Sequence, residues 1–104
     1  MIEDMAVLRE ILRLWRENLT KYPINALKFY DQEKEIHLVS NDTTYIFSLG
    51  EGIEQINTLI RIIQQEQINT GRQYYIDMRL PKRIYTCARE ESECARNIAR
   101  IYGN

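Results

Sequence analysis

The sequence predicts an α+β domain: a mostly antiparallel sheet of about five strands with helices packed on one face, in the order α-βββ-α-ββ-α. Three observations carry this. Some segments repeat their apolar residues every three or four positions, others every second position. Residues that favour reversals separate these segments. The length of 104 residues with 44% apolar content suits one core rather than two, so residues 1–104 read as a single domain, with 89–104 a C-terminal helical extension.

The first helix is expected over 3–20, where Ile2, Met5, Leu8, Ile11 or Leu12, Trp15 and Leu19 recur at helical spacing between polar residues. Pro23 ends it, because the residue before a proline is biased away from helical geometry. Strands follow over 24–30, 35–40 and 43–49. Asp31, Gln32, Glu33 and Lys34 form the first turn, and Ser40, Asn41 and Asp42 the second, since short polar side chains bond their own backbone. Three consecutive short strands make an antiparallel meander. Ile53, Ile56, Leu59, Ile60 and Ile63 restore the helical period over 53–67, and Asn69, Thr70 and Gly71 are expected to end that helix. A last hairpin joins strands over 73–79 and 83–88 through a turn at Leu80, Pro81 and Lys82. A third helix is expected over 90–102 before Gly103, with Glu90, Glu91 and Glu93 leading and Arg96 and Arg100 trailing, as the helix dipole favours.

Fourteen basic residues face fifteen acidic ones, a net charge of -1, so no whole-protein basic field exists to drive non-specific nucleic-acid binding. The longest apolar run is Met5, Ala6, Val7 and Leu8, far below the ~20 residues of a membrane span. The charged start does not read as a signal peptide. Two cysteines, Cys87 and Cys94, exclude a four-cysteine zinc site and fit no CxxC motif. They could pair only in an oxidising compartment, and two buried thiols are the reading that the composition favours.

Several stretches carry more than periodicity. Glu35-Ile36-His37-Leu38, then Asn41-Asp42, then Tyr45-Ile46-Phe47-Ser48-Leu49-Gly50, a helix, and Tyr75-Ile76-Asp77-Met78-Arg79-Leu80-Pro81-Lys82-Arg83-Ile84 together resemble the extracytoplasmic β domain of the FtsQ/DivIB cell-division proteins. The resemblance spans about residues 24 to 87. Ile-Asp-Met-Arg is its most specific piece. Where the family has Gly after the turn Asp and an aromatic after the Arg, this chain has Thr43 and Leu80.

That resemblance implies a non-enzymatic scaffold of the divisome, acting in septum formation on the outer side of the bacterial cytoplasmic membrane. The chain would then be a soluble piece of a longer, single-span protein. It implies no cofactor, no metal and no small-molecule substrate. The implied partners are FtsB/DivIC-like and FtsL-like division proteins, an FtsB segment adding a strand beside the last strand of the domain by β-augmentation. The partner-binding residues implied are Arg79, Leu80, Arg83, Ile84, Tyr85, Thr86 and Cys87. If the domain lies outside the membrane, a disulfide between Cys87 and Cys94 could pin the last strand to the third helix.

Charge supports that edge independently. From 72 to 89 the basic residues Arg72, Arg79, Lys82, Arg83 and Arg89 face the single acid Asp77, which would steer an acidic peptide, with Arg79 placed for a bidentate carboxylate contact. The same charges also suit an edge strand that merely discourages unwanted pairing. An alternative function is a small cytoplasmic module that binds nucleic acid or an acidic protein through this hairpin. No catalytic constellation is visible. Asp77 and Arg79 share a strand face but have no nucleophile or second carboxylate beside them, so they read as a structural ion pair. His37, the one histidine, has no ligand partner at metal spacing. The seven tyrosines read as core or sheet surface.

Overall fold

The structure is a computed structural model that describes residues 2–80 and 82–101, the side chains of Ile2 and Ile101 excepted. Pro81, and 102–104 with Gly103, at which the third helix was expected to end, lie outside the described residues. The chain runs α1 (Ile2–Asn18), β1 (Ala26–Tyr30), β2 (Glu35–Ser40), β3 (Thr43–Ser48), α2 (Gly52–Gln64), β4 (Gln73–Asp77), β5 (Tyr85–Ala88) and α3 (Cys94–Ile101). The α+β class and the element order are those expected from the sequence. The five strands stand in sheet order β1-β2-β3-β4-β5, and three of the four pairings are antiparallel. The fourth, β3 with β4, is parallel, because α2 carries the chain back across the sheet before β4 begins.

Local chemistry accounts for the joints. Asn41 and Asp42 both take positive φ, 50° and 65°, and close the tight two-residue hairpin between β2 and β3 without the glycine usual at such a turn. The Asn41 amide also donates to the Asn25 side chain at 2.8 Å. At the end of α2 the amide of Gln67 donates to the Ile62 carbonyl and that of Glu66 to Ile63, with Glu66 left-handed at φ 54°. This capping pattern stops the helix at Gln64, before the expected residue 67 and ahead of Gly71.

α1 and α2 cover one face of the sheet. Ile11 and Trp15 of α1, Leu19 just beyond its end, and Ile56, Leu59 and Ile60 of α2 pack on Ile36 and Leu38, Tyr45 and Phe47, and Ile76. Trp15 is fully buried, meets Tyr45 edge-on at 5.0 Å and donates its indole N–H to the Tyr22 carbonyl at 2.8 Å. The helices approach closely at Gly52, where an added Cβ would stand 2.6 Å from Ile11 Cδ1. Gln55, buried at the start of α2, accepts the Ser48 amide and donates to the Ser48 hydroxyl, tying the helix to the end of β3.

The third helix corrects the expectation that all helices share one face. Strand alternation turns Ile46, Tyr75 and Cys87 away from the main core, and with Cys94, Tyr74 and Ile98 they form a second, smaller cluster under α3. A disulfide joins Cys87 to Cys94, with Cα atoms 5.7 Å apart, so a covalent bond ties α3 to the face opposite α1 and α2.

Candidate functional site

β5 is an edge strand: it pairs with β4 and lies last in the sheet. Which of its residues face outward follows from one bond. The Arg89 amide donates to the Arg72 carbonyl at 2.9 Å, so position 89 faces β4. Alternate residues of an antiparallel strand bond the same neighbour. The register shift between Gln73 and Tyr75 places the extra residue on β4, so the alternation along β5 is unbroken. Positions 85 and 87 therefore bond β4 through their backbone, while 86 and 88 turn outward. The Ala88 carbonyl accepts the Glu91 amide at 3.1 Å, which closes that end of the edge. By that alternation the amide and carbonyl of Thr86 point away from β4, the strand beside β5 in the sheet, and among the described residues no turn or loop bond takes them up. Thr86 is thus the centre of a short template.

The last strand, expected over 83–88 and carrying the implied partner-binding residues Arg83 to Cys87, starts later than expected. Arg83 and Ile84 precede the strand, and the Arg83 amide donates to the Leu80 carbonyl within the turn. Lys82 takes a positive φ of 56° there. The turn forms one wall of a surface groove of about 580 Å³ whose other wall is α2, with Met78, Leu80 and Ile84 facing Thr58, Arg61 and Ile62. Leu80 and Tyr85 are the large apolar side chains left exposed beside the edge. Tyr85 and Cys87 lie on the α3 face, where the Tyr85 ring sits 6.0 Å from that of Tyr75.

The local charge is smaller than the sequence suggests. Arg79 donates from Nε and Nη2 to the two Asp77 oxygens at 2.9 and 2.7 Å, and from Nη1 to Glu35 Oε2 at 2.6 Å. Those bonds, Asp77 first, raise its pKa despite partial burial, so the guanidinium is fixed in charge and already occupied. Arg79 thus forms with Asp77 the structural ion pair read from the sequence, extended by Glu35 to an internal triad that occupies the fork expected to meet a partner carboxylate. Arg89 bonds the Gly71 and Asn41 carbonyls and the Thr43 hydroxyl. Arg72 lies 3.9 Å from Glu90 on the surface. Lys82 and Arg83 remain exposed without a side-chain bond among the described residues.

His37 is buried on the α3 side of the sheet, its Nε2 3.1 Å from Glu35 Oε1 and its ring 4.5 Å from that of Tyr30. Burial lowers its pKa, against the pull of Glu35. Among the described residues one group gathers three metal-ligating side chains, Cys87, Glu91 and Cys94. With the two sulfurs bonded to each other it offers a carboxylate and no thiolate.

Two features escaped the sequence reading. The outward parity of Thr86 follows from the bond between the Arg89 amide and the Arg72 carbonyl, which no residue type announces. Glu35 joins Asp77 and Arg79 only through the long-range pairing of the strands. No family model, no curated protein and no solved structure matches the chain. No described helix is long and apolar enough to cross a membrane.

Proposed function

We propose that the chain is a non-enzymatic interaction domain of the FtsQ/DivIB type, which recruits FtsB/DivIC-like and FtsL-like proteins to the divisome on the outer side of the bacterial cytoplasmic membrane. The observation that supports it is the outward backbone of Thr86 on a sheet edge. An extended segment of the partner adds a sixth strand there, bonded to Thr86 and flanked by Tyr85 on one face and the groove of Leu80 and Ile84 on the other. Lys82 and Arg83 favour a segment that carries acidic residues. The resemblance in residues 24 to 87 supplies the partner class; the edge supplies the means.

The alternative, nucleic-acid binding by the basic hairpin, loses support because Arg79 and Arg89 are engaged internally. Calorimetric titration with the FtsB/DivIC-like protein of the same genome tests the proposal. Binding at micromolar or tighter affinity is expected. No binding to that protein, together with binding to single-stranded DNA that falls steeply with salt, overturns it.

A further inference from the structure

The one disulfide joins the docking strand itself to a helix that has little else to hold it. α3 is eight residues long, too short to be helical alone in water. Among the described residues its footing is the small cluster of Ile46, Tyr75, Cys87 and Cys94 with Tyr74 and Ile98, plus a hydrogen bond from Asn97 Nδ2 to the Tyr75 hydroxyl at 3.2 Å. β5 is equally slight, four residues paired on one side. Its outer end is closed by the bond between the Glu91 amide and the Ala88 carbonyl, which lies inside the loop that the disulfide spans.

We propose that the Cys87–Cys94 disulfide is a redox latch on the docking edge: oxidised, it holds Thr86 in a ladder-ready geometry; reduced, it lets α3 lift and β5 fray. The proposal rests on the reading of β5 as the docking strand. Reduction is a two-electron exchange. A dithiol transfers two electrons and two protons, the S–S bond breaks, two S–H bonds form, and the dithiol closes into its own disulfide. Once α3 lifts, Tyr75 and Cys87 lose their cover and the end of the ladder loses the Glu91 bond, so the template opens locally while the main core stays intact.

The geometry also sets how the latch is released. Both sulfurs belong to side chains that are 1% exposed, so an attacking thiolate must wait for α3 to open. The Glu91 carboxylate stands 3.7 and 3.9 Å from the two sulfurs and repels an anionic attacker. Glu91 is in this sense a positioning charge that guards the bond.

Amide exchange followed by mass spectrometry, on the whole chain with and without dithiothreitol, tests the latch. Reduction is expected to speed exchange about tenfold or more in 85–88 and 94–101 and to leave β1, β2, β3 and α2 unchanged. Equal exchange in both states, or a uniform rise throughout, overturns it. The double variant Cys87→Ser, Cys94→Ser is expected to match the reduced protein and to ignore dithiothreitol; exchange like that of the oxidised protein counts against the latch. Glu91→Gln is expected to raise the rate of reduction severalfold, and an unchanged rate removes the guard. Titration with the FtsB/DivIC-like protein in both states separates the two readings. Failure to bind the oxidised protein sinks the docking strand, whereas equal affinity in both states sinks only the latch.

Discussion

The Arg89 amide donates to the Arg72 carbonyl at 2.9 Å, and this bond, just past the end of β5, decides the parity of the whole strand. It turns the backbone of Tyr85 and Cys87 inward to β4 and that of Thr86 outward. An edge residue so placed matters through its backbone, so side-chain scanning would overlook it.

Thr86→Pro removes the outward amide, which an edge strand tolerates better than an inward one. The variant is expected to stay folded by circular dichroism and to bind the FtsB/DivIC-like protein about tenfold more weakly or worse, the net worth of a ladder bond or two. A chemically synthesised chain with N-methyl Thr86 gives the same reading if proline disturbs the strand. Unchanged affinity in both contradicts strand addition at this edge. Tyr85→Pro, by contrast, deletes a bond to β4 and is expected to destabilise the sheet.

Arg79 is expected to act on stability rather than on docking. Arg79→Ala leaves Asp77 and Glu35 close together without their cation, at a cost on the order of 2 kcal/mol in urea unfolding. A variant that folds as stably as the parent but associates slowly would return Arg79 to the partner surface.

If the edge docks a partner, Lys82 and Arg83 are expected to carry the steering. Reversing both, Lys82→Glu with Arg83→Glu, is expected to slow association with the FtsB/DivIC-like protein several-fold, to flatten its salt dependence and to leave dissociation nearly unchanged. Stopped-flow traces at two salt concentrations read this directly. Dissociation that speeds while association holds would contradict it.

His37 is expected to make the fold sensitive to mild acid. Burial holds its pKa below the ordinary 6.5, with Glu35 and Asp77 favouring the proton and Arg79 opposing it. The unfolded chain therefore takes up the proton first, and stability, complete above pH 6.5, falls as the pH drops below it. Thermal unfolding at pH 7.5 and 5.5 is expected to show a larger loss for the parent than for His37→Phe. Equal losses would exclude His37 as the source.

The elements were legible because each carries its own period, and Asn41 with Asp42 announces a turn whatever follows. The end of α2 was not, because Glu66 adopts the left-handed cap that sequence reasoning reserves for glycine and so pointed to Gly71. The face taken by α3 was hidden for a related reason. Its apolar stripe does not say which face of the sheet it covers, and the contacts that place it, the Cys87–Cys94 bond and the cluster around Tyr75, come from strand alternation and long-range pairing. The spacing of Asp77 and Arg79 placed them together correctly. Their third member, Glu35, comes from a strand two places away in the sheet, beyond any local pattern.

Amide exchange at Thr86 in the oxidised chain, read residue by residue by NMR with and without the FtsB/DivIC-like protein, is the most direct measurement. Added partner is expected to slow exchange at Thr86 at least about tenfold and to leave the opposite edge, β1, as it was. Saturated binding with Thr86 still exchanging at its free rate would show that the partner docks elsewhere.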